Sequence, residues 1–236
     1  MKKIFCILLL FFWTTSLHAA DGVILLHGLL RSDASMQKME SKLKDAGFIV
    51  LNVNYPSRTA KVRDLSDAAI GEALQDARLK ECEQVHFVTH SLGGILVRSY
   101  FKRHKDKRLG RVVMLGPPNK GSEVVDTIGA TWFFKKLNGP AGNELGTDNE
   151  SVPNTLGAVD FECGVIAGDR SIDVISSMMI AGPDDGKVSI ERTKVEGMQE
   201  HSVVHATHTF MMKNDAVIEK TIRFLTTGSF KDTDMQ

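Results

Sequence analysis

Residues 84–94 read QVHFVTHSLGG, and this stretch decides the fold. Its valine and phenylalanine residues favour an extended strand, and the apolar residues after Gly94 suit a helix packed on a sheet. We therefore interpret the stretch as strand, sharp turn and helix, with Ser91 at the turn. Such a corner needs small residues two positions before and after the serine, as in the pattern G-x-S-x-G. Gly93 meets this need, whereas Thr89 departs from it. Taken alone, Ser91 could equally be a helix N-cap.

Strand-like and helix-like segments alternate on both sides of this stretch. An apolar run from Val23 that ends in His27-Gly28 predicts a first strand, and further runs predict strands at 48–53, 111–115, 163–167 and 188–195. Helical spacing of apolar residues predicts helices at 35–47, 61–79, 92–105 and 215–225. Such alternation implies right-handed crossovers and an α/β fold. We expect a mostly parallel central sheet of about six strands with helices on both faces.

Residues 1–19 have the layout of a cleavable secretory signal. Lys2 and Lys3 precede an apolar run that ends at Trp13, and Ala19 is the small residue expected before the cut. The apolar run is short for spanning a bilayer, although an uncleaved anchor is the alternative. We therefore expect an exported protein, periplasmic or secreted. Its residues 20–236 are then long enough for one domain.

The charge of the chain gives no indication of a nucleic-acid partner. Without residues 1–19 it has 27 basic and 29 acidic groups. One basic cluster, KRHKDKRLGR, occupies residues 102–111. A solvated helix end is its ordinary interpretation, and contact with an anionic membrane surface is the alternative. Cys82 and Cys163 could form a disulfide in an oxidising compartment, but the sequence leaves this open.

Polar residues follow the predicted strands, where functional groups gather in an open parallel sheet. A serine nucleophile needs a base to accept its proton and a third group to orient that base. Asp184 and Asp185 are the candidate acids, and each could also be a solvated turn residue. The candidate bases lie in EHSVVHATHTF, residues 200–210. His208 is favoured because it precedes the last helix, and we interpret His201 as a surface histidine and His205 as a buried one.

A serine nucleophile also needs hydrogen-bond donors for the oxygen that becomes negative on the attacked carbonyl. Backbone N–H groups suffice. One candidate is the amide of Leu92, at the start of a predicted helix, where such groups lack intrahelical partners. The other is the amide of Leu29, directly after Gly28, where glycine permits a turn.

The sequence resembles the α/β-hydrolase superfamily, of the bacterial lipase and esterase type. The motifs that carry the resemblance are HGLLRS at 27–32, THSLGG at 89–94, PDDGKVS at 183–189 and HTF at 208–210. The resemblance implies a compact α/β-hydrolase fold with Ser91 as nucleophile, Asp185 as acid and His208 as base. It also implies an oxyanion hole formed by the amides of Leu29 and Leu92. The implied reaction is hydrolysis of a small-molecule or lipid ester or thioester through an acyl-enzyme, and no cofactor or metal is implied.

Residues 119–160 interrupt the alternation and are rich in glycine, asparagine and proline. Their aromatic residues Trp132, Phe133 and Phe134 fit a movable cover over the site, or the ordinary packing of an amphipathic helix. A different function remains as the alternative, in which a catalytically inactive hydrolase fold serves as a binding or assembly protein of the cell envelope. The sequence leaves acyl length, alcohol group and oligomeric state open.

Overall fold

The computed structural model describes residues 20–129 and 132–232, apart from the side chains of 128–135. Residues 1–19, for which we predict a secretory signal, lie outside the described part. Among the described helices, none combines the length and the hydropathy that a membrane span requires.

The described residues form one sheet of six parallel strands. The order along the sheet is β2-β1-β3-β4-β5-β6, so that β1 and β3 lie inside it. This topology confirms the predicted α/β fold with a parallel sheet. The strands are β1 (Gly22–Leu26), β2 (Ile49–Val53), β3 (Val85–His90), β4 (Leu109–Leu115), β5 (Cys163–Gly168) and β6 (Glu200–Val204).

Helices cover both faces of the sheet, because successive strand residues point to opposite sides. On β1, Ile24 and Leu26 pack in one apolar cluster with the second and third helices, and Val23 and Leu25 pack in another with the first and last helices. The described helices are α1 (Gln37–Asp45), α2 (Val62–Leu74), α3 (Leu92–Phe101), α4 (Glu123–Gly129), α5 (Trp132–Asn143), α6 (Val152–Thr155), α7 (Val174–Ser177), α8 (Ile190–Thr193) and α9 (Asp215–Thr227).

The predicted strand at 188–195 is wrong. This segment contains the short helix α8, in which the Ser189 hydroxyl accepts a hydrogen bond from the Arg192 amide at 3.4 Å. The sixth strand is instead β6, and its residues are at most half-buried. An edge strand pairs on one side only and can expose side chains, so its sequence lacks a continuous apolar run.

The basic cluster at 102–111 begins at the C-terminal end of α3, as expected, but most of it lies beyond the helix. Helix α3 stops at Phe101, and β4 begins at Leu109, so that the cluster forms a turn and the start of a strand. Most of its cations have partners: Arg103 pairs with Asp67, Lys105 with Asp160, Arg108 with Asp106 and Arg111 with Glu162. These partners largely neutralise the surface for which we considered membrane contact.

The insert at 119–160 contains α4, α5 and α6, and α5 is kinked at Gly139, whose φ is 68°. Arg98 of α3 fastens both ends of this insert. Its buried guanidinium donates to the carbonyl oxygen of Asn119 at 3.0 Å and to those of Pro153 and Gly157 at 3.0 and 2.8 Å. Burial lowers the pKa of Arg98 to about 10, so that the group remains charged at neutral pH.

The two cysteines for which we left a disulfide open do not form one. Cys82 and Cys163 are both buried and free. Burial raises the pKa of Cys163 to about 12, which makes its thiol unreactive at neutral pH.

Candidate active site

Ser91 occupies the sharp turn between β3 and α3. Its φ of 51° and ψ of −117° lie where residues with a side chain are strained, at a cost of about 1–3 kcal/mol. Its amide donates to the carbonyl oxygen of Leu115 at 2.9 Å, which ties the turn to β4. The Ser91 hydroxyl makes no capping hydrogen bond to α3. The N-cap interpretation therefore does not explain this serine.

The two glycines after Ser91 have different neighbours. A Cβ on Gly93 would lie 2.7 Å from the carbonyl oxygen of Leu26, so that glycine is required for α3 to approach β1. A Cβ on Gly94 would lie 3.1 Å from Cβ of Pro117 and 3.3 Å from the hydroxyl oxygen of Thr89. The second glycine thus leaves room for the threonine that replaces glycine at the elbow.

Asp185 and His208 are joined by a hydrogen bond from Nδ1 of the ring to Oδ2 of the carboxylate, 2.7 Å long. A second bond, from the His208 amide to the Asp185 carbonyl oxygen at 2.8 Å, holds the two loops together. The buried carboxylate also accepts, at Oδ1, from the amides of Lys187 and Val188 at 3.0 and 2.9 Å. Because Nδ1 carries the proton, Nε2 of His208 is free to accept one.

Asp184, the competing candidate acid, has other partners. Its Oδ1 accepts from the Ser177 hydroxyl and from the Gly186 amide, both at 2.7 Å. These bonds link α7 to the turn before Lys187. Between Asp184 and Asp185, only Asp185 forms a hydrogen bond to a histidine of the described chain.

Ser91 and His208 line the same cavity, whose volume is about 320 Å³. Within the described residues no hydrogen bond joins the Ser91 hydroxyl to the His208 ring. In sites without substrate this bond is often long or poorly aligned. The cavity walls are largely apolar, and the insert contributes part of them through Val124, Val125, Leu137 and Leu145. The side chains of Trp132, Phe133 and Phe134, which we considered for a cover, lie outside the described part.

The two candidate oxyanion donors flank Ser91. In the described chain neither the Leu29 amide nor the Leu92 amide has an acceptor. The loop with Leu29 lies directly against the elbow, since a Cβ on Gly28 would be 3.2 Å from Cβ of Ser91. Leu30 has a left-handed φ of 61°, and its amide donates to the Ser57 hydroxyl at 3.2 Å. This strained loop keeps the Leu29 amide unpaired beside the nucleophile position.

His27 supports the same loop. Its ring stacks on Tyr55 with centroids 4.1 Å apart, and Nδ1 donates to the Gly28 carbonyl oxygen at 2.9 Å. Tyr55 donates in return, through its hydroxyl, to the His27 carbonyl oxygen at 2.5 Å. Desolvation by burial lowers the pKa of His27, so that the ring is neutral and serves as a structural support.

The sequence interpretation missed His90, the residue directly before Ser91. It is buried, and Nε2 donates to the backbone carbonyl oxygen of His208 at 2.9 Å. Burial lowers the pKa of His90 well below its ordinary value, and the neighbouring His208 adds to the effect. The sequence offered one indication of its role, its position next to Ser91. The contact itself joins residues 118 positions apart, so that no local pattern indicates it.

The solvent exposure of the other two candidate histidines differs from the prediction. His205, expected to be buried, has 72% of its side chain exposed and contacts Asp169 at 2.9 Å. His201, expected at the surface, is half-buried on β6, with Nε2 located 2.9 Å from the Thr193 hydroxyl. Of the three candidate bases, only His208 lines the cavity with Ser91. The described residues contain no cluster of side chains suited to a metal ion.

A family model described as palmitoyl protein thioesterase matches residues 22–154, more than half of the chain. The chain belongs to this family. The family match begins at β1 and includes the elbow with Ser91, and it confirms the resemblance to α/β-hydrolases of the lipase and esterase type. Asp185 and His208 lie beyond the matched residues. Among curated proteins, no sequence matches this chain.

Solved structures of lipases and esterases share the fold. The mature lipase BlEst2 of Bacillus licheniformis superposes with a TM-score of 0.65 and 18% identity, covering 83% of this chain and 87% of that one. The phospholipase PlaB of Legionella pneumophila gives 0.69 and 18%, covering 89% of this chain and 60% of that one. The metagenomic carboxyl esterase MGS0156 gives 0.60 and 19%, covering 82% and 65%. At this identity the likeness establishes the fold.

Proposed function

We propose that this protein is an exported serine hydrolase that cleaves carboxylic esters through an acyl-enzyme on Ser91. One observation carries the proposal: the 2.7 Å hydrogen bond between Asp185 and His208, at the wall of the cavity that Ser91 also lines. Membership of the palmitoyl protein thioesterase family supports hydrolysis of an acyl bond. Lipases and esterases of the same fold support it further.

In the proposed reaction His208 accepts the proton of the Ser91 hydroxyl while the oxygen attacks the acyl carbon. Asp185 keeps the ring in the required tautomer and stabilises the imidazolium that forms. The proton then passes to the leaving alcohol, and a bond from the acyl carbon to Ser91 remains. Water repeats the cycle and releases the acid. The amides of Leu29 and Leu92 are proposed to bind the negative oxygen in both steps.

The apolar cavity favours an acyl group as the part of the substrate that enters it. Among its lining side chains, Leu29, Val124, Val125 and Leu145 are hydrocarbon, and burial of hydrocarbon contributes about 0.8 kcal/mol per methylene. A lipid or other small-molecule ester is therefore the proposed substrate class. The family description makes an acyl thioester the first competing substrate to compare.

Export is the remaining part of the proposal, and it rests on the composition of residues 1–19. Cell fractionation together with the intact mass of the purified protein tests it. We expect the protein in the periplasm or medium, with the intact mass of a chain that starts at residue 20. The mass of the full 236-residue chain in a cytoplasmic fraction would contradict export. It would not affect the proposed ester hydrolysis.

A fluorophosphonate probe and a series of p-nitrophenyl esters test the chemistry. We expect the probe to label Ser91 in the unmodified protein and to fail with Ser91→Ala and His208→Ala. Turnover of the esters should depend on chain length, and acyl thioesters of the same lengths show which leaving group is preferred. His205→Ala is the matched control, since this exposed histidine lies outside the cavity. It should label and turn over like the unmodified protein.

A binding or assembly protein of the envelope is the competing function. The observation on its side is the lack of a hydrogen bond between Ser91 and His208 in the described chain. In that case a correctly folded protein would neither label nor hydrolyse any ester or thioester of the series.

A further inference from the structure

One surface beside the cavity is apolar where a soluble protein is usually polar. It consists of large side chains with exposed fractions from 53% to 83%. We call it the α7 face; its members are Ile172, Val174, Ile175, Met178 and Phe210. Isolated exposed hydrophobic residues are ordinary, but a contiguous apolar patch marks an interaction site.

The polar contacts of α7 explain why its apolar side chains point outward. Asp173 caps the helix by accepting from the Ser176 amide at 3.0 Å and from the Ser176 hydroxyl at 2.7 Å. Lys187 donates to the same carboxylate at 2.8 Å, and Ser177 donates to Asp184 at 2.7 Å. The polar side of α7 is thus bound to the protein. Val174, Ile175 and Met178, at helical spacing, face solvent.

The α7 face lies next to the mouth of the cavity. Lys187, which fastens α7 through Asp173, also lines the cavity with Ser91. On the other side Phe210 is two positions from His208. Phe210 and Ile172 line one open groove, and Ile172 stands two positions before Val174, the first residue of α7.

The same groove carries positive charge. Arg170 and Lys213 line it together with Ile172 and Phe210, and both are exposed. In the part of the chain that the structure describes, neither cation has an ion-pair partner. Two nearby carboxylates already have other partners: Asp173 binds Lys187, and Asp169 contacts His205.

An apolar patch beside unpaired cations complements an interface that is apolar within and anionic outside.

We propose that the α7 face docks on an anionic phospholipid membrane, with Ile175 and Met178 inserted among the acyl chains and Arg170 and Lys213 at the phosphates. Apolar side chains bind the interface through buried area, and cations bind the anionic headgroups. A second copy of this chain is a poorer occupant, because a symmetric pair through this face would bring its unpaired cations together. The surface is separate from the neutralised cluster at 102–111.

Co-sedimentation of the purified protein with vesicles tests the docking. We expect binding to vesicles of phosphatidylglycerol and phosphatidylcholine at low salt, and weaker binding to phosphatidylcholine alone. The double variant Ile175→Ser/Met178→Ser should bind roughly tenfold more weakly or worse, since two inserted side chains are lost. Arg170→Gln/Lys213→Gln should lose roughly fivefold per cation on the anionic vesicles only.

Ile49→Ser is the matched control. Ile49 is also an exposed isoleucine, but it begins β2, at the opposite end of the sheet from the cavity. This variant should bind vesicles like the unmodified protein. Turnover of a water-soluble ester, and the circular dichroism spectrum, check that the variants are folded. Ser91→Ala should bind vesicles normally, so that failure of the docking and failure of the proposed chemistry are distinguishable.

Three results would overturn the docking. The first is no binding of the unmodified protein to anionic vesicles at low salt. The second is equal binding by Ile175→Ser/Met178→Ser. The third is a dimer in gel filtration that becomes a monomer in this double variant, which would assign the α7 face to a second copy of the chain.

Discussion

The ring of His90 donates through Nε2 to the backbone carbonyl oxygen of His208, at 2.9 Å. One end of this bond belongs to the residue before Ser91, and the other belongs to the candidate base. The rings lie with centroids 4.8 Å apart. His90 therefore holds the His208 loop against the elbow without entering the proposed proton transfer, which makes it a positioning residue.

Replacing His90 tests this role. In His90→Ala the buried carbonyl of His208 loses its donor, at a cost of about 1–3 kcal/mol. We expect kcat on a soluble ester to fall at least roughly tenfold, with KM nearly unchanged. His90→Gln, which can offer a donor at a similar position, should recover part of the loss. If kcat of His90→Ala stayed within about twofold of the unmodified protein, the positioning role would be wrong.

The neighbouring carboxylates provide a second prediction. Asp185→Asn removes the acceptor that keeps His208 in its tautomer, and in serine proteases the equivalent change lowers kcat by about four orders of magnitude. We expect a loss of several orders of magnitude here, measured as kcat on p-nitrophenyl esters. Asp184→Asn keeps an oxygen for Ser177 and Gly186 and should be nearly neutral. Equal losses in the two variants would indicate a general disturbance of the turn.

The elbow glycines allow a stability test. In Gly93→Ala the new methyl would lie 2.7 Å from the carbonyl oxygen of Leu26, and relieving this clash should cost about 1–3 kcal/mol. Gly71→Ala in α2 is the matched control, because the nearest atoms, on Tyr100, are 4.0 Å away. There we expect stabilisation by about 0.5–1 kcal/mol, since alanine favours a helix more than glycine does. Urea denaturation measures both, and a stable Gly93→Ala would contradict the close packing.

Stability should also fall as the pH drops below about 6.5, the ordinary pKa of histidine. Desolvation lowers the pKa of His27, His86 and His90 below 6.5 in the folded protein. In this range of pH the unfolded chain binds more protons, so that the free energy of unfolding falls as pH falls. For each histidine, the free energy of unfolding falls by at most about 1.4 kcal/mol for each unit by which the pH is lowered. Urea denaturation at pH 7.5 and 5.5 measures it. His90→Gln should show a smaller difference, and equal stability at both pH values would contradict the prediction.

The sequence was most informative where neighbours along the chain decide the structure. The elbow at Ser91 and the buried strands β1 and β3 have continuous apolar runs, and so could be predicted. Strand β6 could not, because an edge strand does not need such a run. The choice between Asp184 and Asp185 depends on where each carboxylate points from the same turn, which the sequence does not indicate. Pairs such as His90 with His208 exist only after folding, so that no local pattern indicates them.

Arg98 sets limits on how the insert can differ among natural homologues. The two terminal nitrogens of its guanidinium donate to oxygen atoms from both ends of the insert, at Asn119, Pro153 and Gly157. Deleting either end would remove part of these acceptors from a buried charge, and each unpaired N–H would cost about 1–3 kcal/mol. Evolution can therefore lengthen or shorten the middle of this segment freely, while both attachment points stay. New substrate preferences should arise there.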